Sequence, residues 1–387
     1  MRSVSTPRRS PRRRIAASAL QRGRRSDTQA GGCHTFPVTQ QRTVAVLGAT
    51  GTVGQRFISL LADHPWFKLT ALTTSERTAG KRYADAVHWH LPEPMPESVA
   101  NMKLEPTRPD LGADLCFSAL PTNAAEEHEA ALAKAGHHVF SNASTHRMDA
   151  DVPNLLAEVN FEHVKVLVRQ RESRGWTGSI VTNGNCTAIH LTLAIAPLHR
   201  DFGIEQLLVS TMQSISGAGY PGVPSLDVLD NVVPYIGGEE EKVVEETQKF
   251  LGAWSHATGF EPARFPMSVH CNRVLVRDGH TETVSVRLKG SPGVRVVTES
   301  LRTFTGRPQE LGLPSAPTHP IVVREELDRP QPLLDRNTER GMASTVGRIR
   351  DDPVLGLKFV VVGHNTIRGA AGASVLNAEL LVAERCV

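Results

Sequence analysis

Residues 43–54 read TVAVLGATGTVG, and the ten that follow, QRFISLLADH (55–64), carry apolar residues at helical spacing. A short β-branched run that stops at glycine is how a buried parallel strand ends. Three glycines spaced by three, Gly48, Gly51 and Gly54, then open a helix. Such a turn brings backbone N–H groups close to a pyrophosphate at a helix N-terminus. Gln55 and Arg56 come next, without the Lys-Ser/Thr of nucleoside-triphosphate loops. KLTALTT (68–74) supplies a second strand and completes one βαβ unit.

Outward from this unit the pattern repeats. ADLCFSALP (113–121), EEHEAALAKAG (126–136) and HHVFSNAS (137–144) read as strand, helix and strand. The repetition predicts an α/β fold, a Rossmann-type doubly wound parallel sheet. After about residue 180 the texture changes. GSIVTNGNC (178–186) is a strand feeding a loop, and CTAIHLTLAIAPL (186–198) is an apolar helix. QLLVSTMQSIS (206–216), RVLVRDGHTETVSVRLKG (273–290) and LKFVVVGHN (357–365) read as strands of a mixed or antiparallel sheet. EEEKVVEETQKFLG (239–252) reads as a helix, so the second domain is α+β. TIRGAAGASVLNAELLVAE (366–384) is a glycine turn and a final helix expected to return to the first domain. The expected boundaries are a disordered basic tail over 1–41, a nucleotide-binding domain over 42–185 with about 366–387, and a catalytic domain over 186–365.

Bulk composition narrows the function. The net charge of +3 comes from the tail, where nine arginines fall within the first 25 residues. Without residues 1–26 the chain holds 34 Lys+Arg against 40 Asp+Glu, which argues against nucleic-acid binding. An organelle transit peptide would share the tail's composition. No run reaches the 18 or so apolar residues of a membrane span, so no membrane partner is expected. The five cysteines are scattered and lack any Cys-x-x-Cys pair, the usage of a reducing compartment, and a cytoplasmic location is expected. His88 and His90 in VHWH have no accompanying ligand cluster, so no metal is expected.

TTSERTAGK (73–81) follows the second strand, where NAD enzymes place a carboxylate for the ribose. Glu76 is available for that. Ser75, Arg77 and Thr78 instead offer two hydroxyls and a guanidinium suited to a 2′-phosphate, which favours NADP. Cys186 stands at the start of the apolar helix, where the helix dipole and free N–H groups favour a thiolate and could hold an oxyanion. A buried free cysteine is the ordinary alternative, but the collar Asn183-Gly184-Asn185 is unusual for one. His280 in RDGHT, between two strand-like runs, is the candidate base. Glu246 and Lys249, at i and i+3, share a helix face, ordinarily as a surface ion pair. Arg147 and Arg273 are candidates for carboxylate or phosphate.

These motifs, with SNASTHRMDADVPNLLAEVN, QSISGAGYPG, HCNRVLVRDGHTE and GMASTVGRIR, resemble the aspartate-semialdehyde dehydrogenases, and among them the branch of archaea, fungi and some bacteria. The resemblance covers roughly residues 42–384. It implies reduction of an aspartyl β-phosphate by NADPH through a thioester, with Cys186 as nucleophile, His280 as acid/base and Gln213 positioning the substrate. It assigns Glu246 to the substrate ammonium, Arg273 to its carboxylate, Arg147 and Lys249 to phosphate, and Asn185 to the substrate loop. For NADP it implies Gly48, Thr50, Gly51, Thr52, Val53 and Gly54; Ser75, Arg77 and Thr78; Ser118, Ala119, Leu120 and Pro121; Ser216, Gly217 and Gly219; and Gly369 and Gly372. It implies a dimer or tetramer built through the second domain. Gly184 departs from the family, which usually has proline there; glycine is expected to loosen the loop. Malonyl-CoA reductase is the nearest alternative, but its substrate has no amine for Glu246. A non-catalytic dinucleotide-binding or assembly subunit is the rival from another class.

Overall fold

The structure, a computed structural model, describes residues 41–387; apart from Gln41, the expected basic tail lies outside the described residues. Six strands form the first sheet: β1 (Arg42–Leu47), β2 (Phe67–Thr74), β3 (Leu104–Pro106), β4 (Leu115–Ser118), β5 (His138–Ser141) and β6 (Ser179–Thr182). Their spatial order is β3-β2-β1-β4-β5-β6 and every pairing is parallel. A parallel sheet must be covered on both faces, and β1 shows how its residues meet that demand. Val44 and Val46 join one core with Phe57, Ile58 and Leu61 of the Thr52–Leu61 helix, while Ala45 and Leu47 join another with Leu132, Val139 and Ile180. The final helix, Gly372–Ala383, lays Val375, Leu376, Leu380 and Leu381 into the first of these cores.

The second sheet contains β7 (Ile204–Gln213), then, after the small hairpin of β8 (Ala253–Ser255) and β9 (Gly259–Glu261), β10 (Met267–Arg273), β11 (His280–Leu288), β12 (Ile321–Arg324), β13 (Ser344–Asp352) and β14 (Gly356–Gly363). Its order is β10-β7-β11-β14-β13-β12, with antiparallel centre and parallel edges. The helix Cys186–Asp201 packs on this sheet and is buried from Thr187 to Leu198. A helix apolar all round belongs in a core. The helix Glu239–Phe250 packs against it.

Several elements differ from expectation. The strand expected to begin at Arg273 ends there, because β10 runs over the alternating MSVHCNR (267–273). β3, β12, β13 and the helix Val294–Arg302 were not expected as such. Before the last helix, residues Ile367–Ala371 form a π-helical turn rather than a simple glycine turn.

Candidate active site

The loop after β6 delivers Cys186 as the first residue of its helix. Asn185 caps that helix: its side-chain oxygen accepts from Thr187 N at 2.9 Å and from Ala188 N at 3.1 Å. Those two amides are therefore not free for an oxyanion, a correction to the expected use of the helix end. The Cys186 N–H is the first-turn amide outside the cap. Asn185 Nδ2 donates to Glu239 at 2.9 Å, and Asn185 N–H donates to Glu246 Oε2 at 2.6 Å. Asn185 borders the cavity, but its polar groups are engaged by protein, so it frames the site rather than offering a free donor.

His280 opens β11 beside the end of β7, and its Nε2 lies 3.1 Å from Cys186 Sγ. The Ser214 N–H donates to Nδ1 at 3.1 Å, and the Ser214 hydroxyl lies 3.2 Å away. A ring nitrogen that accepts a backbone N–H carries no proton, so the neutral ring holds its proton on Nε2, toward sulfur. If the ring becomes imidazolium, the Ser214 hydroxyl is the acceptor at hand for Nδ1–H. Burial pulls the His280 pKa well below the ordinary histidine value, with His190, Arg273 and His364 adding to the effect. Burial, then the charge of Glu239, pushes the Cys186 thiol up to about 12, against Arg147, the Thr187 N–H and Arg273. The resting pair is thus thiol and neutral imidazole.

A cavity of about 490 Å³ opens over the sulfur, bordered by Arg147, Gly184, Asn185, Cys186, Lys242 and Gly369, among others. Small residues close in on the nucleophile. A Cβ at Gly369 would sit 2.7 Å from Cys186 Cβ; one at Gly217 would sit 2.9 Å from Arg273 Nη1 and 3.2 Å from His280 Cε1. Arg273 is anchored by a 2.8 Å bond from Nη1 to the Ser214 carbonyl. Gln213, at the end of β7, is 1% exposed; its amide donates to Thr211 Oγ1 at 3.4 Å, and the residue does not border the cavity.

Two expected substrate residues are placed elsewhere. Lys249 is buried, and its Nζ donates to the carbonyls of Arg147 (2.6 Å), Asp149 (3.1 Å) and Val152 (3.1 Å). Burial draws its pKa down to about 8, yet only an ammonium can supply three donors. Lys249 therefore has no donor left for phosphate. Glu246 accepts from Arg147 Nη1 at 3.0 Å, from Asn154 Nδ2 at 3.4 Å and from Asn185 N–H, and it does not border the cavity. The same helix instead presents Lys242 to the cavity, and Glu239 close enough to Cys186 and Arg273 to perturb both. Both were missed. Their i, i+3 spacing was the available signal.

The cavity shares Leu120 and Pro121 with a second one of about 620 Å³, bordered by Gly48, Thr50, Gly51, Ser75, Glu76 and Ala119 among others. Thr52, Val53, Ser216, Gly217 and Gly219 border the first cavity. Gly48 has φ +71°, and a Cβ there would meet Ala119 O at 2.7 Å, so the turn and the exit of β4 approach as closely as glycine allows. The pair of cavities forms one path from glycine turn to cysteine that suits a dinucleotide. Five expected contacts fall outside it. Ser118 is fully buried at the end of β4. Gly54 packs the helix on the turn, its Cβ position 2.3 Å from Gly48 O. Gly372 fits between Met342 and Ile367. Arg77 is exposed and outside the cavity lining, while Thr78 bonds Thr74 Oγ1 at 2.7 Å.

Comparison with known proteins shows the family. Residues 43–167 match a family profile described as semialdehyde dehydrogenase, NAD binding domain, and residues 195–368 match semialdehyde dehydrogenase, dimerisation domain. An aspartate-semialdehyde dehydrogenase of Archaeoglobus fulgidus is 49% identical over 346 residues, 89% of this chain and 99% of that protein. The chain belongs to the aspartate-semialdehyde dehydrogenase family. The enzyme of Saccharomyces cerevisiae is 42% identical, covering 90% of this chain and 99% of its own. A crystal structure of the Candida albicans enzyme with NADP superposes with a TM-score of 0.83 at 40% identity, covering 90% of this chain and all of that one. The matches give no support to malonyl-CoA reductase.

Gly184, expected to loosen the loop, is closely packed. A Cβ at Gly184 would lie 2.3 Å from Phe250 Cζ and 2.8 Å from Cε2. The space a larger residue would need is filled by the Phe250 ring, so the loop is packed where entropy alone suggested looseness. Among the described residues, no helix is long and apolar enough to cross a membrane. His88 and His90 stack on each other at 4.7 Å, and His90 stacks on Tyr220 at 4.0 Å.

Proposed function

We propose that this chain converts L-aspartyl 4-phosphate to L-aspartate 4-semialdehyde with NADPH, and runs the reverse reaction with phosphate. The carrying observation is the Cys186 Sγ to His280 Nε2 distance of 3.1 Å at the wall of a cavity that also meets Arg147 and Lys242. In the forward direction the His280 ring shifts its own proton to Nδ1, against the Ser214 hydroxyl, and takes the Cys186 proton on Nε2; the thiolate attacks the acyl carbon, a C–S bond forms and the C–O bond to phosphate breaks. Arg147 and Lys242 receive the phosphate charge. Glu239 and Arg273, both close enough to Cys186 to perturb it, give the site one charge of each sign for the substrate ammonium and carboxylate, an arrangement suited to an α-amino acid. Gly48, Gly51 and the Ala119–Pro121 edge would hold NADPH, which when bound supplies the hydride that reduces the thioester. His280, once protonated, gives its Nε2 proton to the new oxygen, with Nδ1–H held by Ser214; the ring then takes a proton back as the C–S bond breaks and the semialdehyde leaves. The incoming thiolate and phosphate charges favour imidazolium, opposing the burial that disfavours it at rest.

The reaction serves amino-acid biosynthesis. A homodimer or homotetramer is proposed, consistent with the dimerisation-domain match. Aspartate semialdehyde, NADP and phosphate are mixed with enzyme and absorbance is followed. NADP reduction that requires phosphate and is weak with NAD establishes reaction and cofactor together. Turnover of malonyl-CoA with NADPH, and none of aspartate semialdehyde, overturns the reading.

A further inference from the structure

Glu246 joins three distant parts of the chain. It is 2% exposed, and its partners are Arg147 Nη1, Asn154 Nδ2 and the Asn185 N–H. A carboxylate offers about four acceptor directions, and three of Glu246's are taken by protein. The shortest bond, 2.6 Å, is to the peptide N–H of the residue immediately before Cys186. Asn185 is held a second time by Glu239, seven residues earlier on the same helix, and its Oδ1 caps the cysteine helix. Two turns of one helix therefore fix both the backbone and the side chain of the residue that sets the nucleophile. Glu246 Oε1 at the same time holds Arg147, whose Nη2 donates to the Asn142 carbonyl at 2.8 Å. The Phe250 ring against Gly184 closes the remaining side of the loop.

We propose that Glu246 is a positioning residue for the reaction: one oxygen sets the peptide that aims Cys186 at His280, and the other sets Arg147 at the anion end of the cavity. The inference rests on the reading of Cys186 as nucleophile and Arg147 as an anion ligand. It makes Glu246 a coupler of the two rather than a ligand of substrate.

Glu246→Gln tests this well, because an amide cannot accept from both sides: whichever way it turns, its NH₂ faces either the Asn185 N–H or the Arg147 guanidinium. In the full-length enzyme we expect kcat to fall about 10- to 100-fold. At each pH between 6 and 9, alkylation of Cys186 by iodoacetamide should differ in rate from wild type by at least about fivefold, a readout of thiol placement. The NADPH Kd should stay within about twofold, and the KM for aspartate semialdehyde within about threefold. Glu246→Asp keeps both acceptors and should recover part of kcat; if Glu246→Gln does not fold, Glu246→Asp is read against wild type, with smaller changes of the same kind expected. Unchanged kcat per folded molecule and unchanged alkylation overturn the proposal and leave Glu246 a purely structural ion pair. A KM for aspartate semialdehyde raised tenfold or more with kcat intact overturns it in favour of a substrate ligand. Failure of the underlying reading shows separately, as phosphate-dependent turnover surviving in Cys186→Ser.

Discussion

Replacing Lys242 and Lys249 singly by alanine separates two side chains that the primary structure makes look alike. Lys242 borders the cavity and is half-buried. Removing it deletes one charge-assisted donor to phosphate, worth about 1.5–3 kcal/mol. At about 1.4 kcal/mol per factor of ten, kcat/KM for phosphate should fall about 10- to 150-fold. The fold should hardly notice, since a surface change away from a packed network stays within about 0.5 kcal/mol. Lys249→Ala does the opposite. It strands three carbonyl oxygens that Lys249 Nζ meets at 2.6, 3.1 and 3.1 Å. At about 1 kcal/mol each, the low end for an unsatisfied acceptor, the loss is about 3 kcal/mol. With an unfolding entropy of about 2.1 cal/mol/K per residue, that lowers Tm by roughly 4 °C. The assay is NADP reduction at saturating aspartate semialdehyde with phosphate varied, beside a thermal melt of each protein. A raised phosphate KM and unmoved Tm in Lys249→Ala, with Lys242→Ala kinetically silent, would refute the assignment.

Other consequences are as direct. Cys186→Ser should bind NADPH within about twofold of wild type and lose turnover by about three or more orders of magnitude, since serine is a far weaker nucleophile at neutral pH; stopped assays and fluorescence titration check both. Because the Cys186 thiol is pushed up to about 12, its alkylation in the free enzyme should rise about tenfold per pH unit from 6 to 9. A plateau below pH 8 would contradict the thiol resting state. The raised value also means that its contribution to stability is complete below the ordinary thiol pKa and fades as pH climbs from there through about 12. Gly54→Ala drives a Cβ into Gly48 O and Ala49 Cα, at 2.3 and 2.8 Å. Such overpacking costs about 1–3 kcal/mol, and the displaced turn should raise the NADPH Kd at least about tenfold by titration. Arg77→Ala should weaken NADPH more than NADH; equal losses would leave Glu76 as the discriminating ribose contact.

The parallel sheet was legible because each strand there is a buried run ended by glycine or a loop, and each helix repeats at its own period. The second sheet was read less fully. β12 is four residues long, and β3, the strand of the parallel sheet that was not read, has three and ends in proline; neither is long enough to show alternation above noise. β13 carries a register shift between Gly347 and Arg350, and a bulge interrupts the two-residue period on which strand reading depends. The final turn hid a different irregularity: a π-helical turn brings Gly369 against Cys186, a contact across 183 positions that no local pattern encodes.

The site followed the same logic. Cys186 was singled out by its place at a helix start, whereas His280 and Arg273 were singled out by residue type: the sequence put His280 in a turn and Arg273 at the beginning of a strand, and the structure has a strand start and a strand end there. Glu246 and Lys249 were misplaced for a geometrical reason. The helix Glu239–Phe250 carries the same Glu-x-x-Lys pair twice, as Glu239 with Lys242 and as Glu246 with Lys249. The copies are seven residues apart, which is about two turns, so both fall on nearly the same face. Helical periodicity cannot choose between them. Distance along the axis can: seven residues at about 1.5 Å each move a side chain roughly 10 Å, from the cavity wall into the packed layer behind it. The inner copy is engaged by protein throughout, Glu246 by Arg147, Asn154 and Asn185 and Lys249 by three carbonyls. A buried charge without such partners would be costly. In the proposed reaction the outer copy, with fewer protein partners, is the one that meets a zwitterionic, phosphorylated substrate. One helix thus holds the loop from behind and presents Lys242 to the cavity in front.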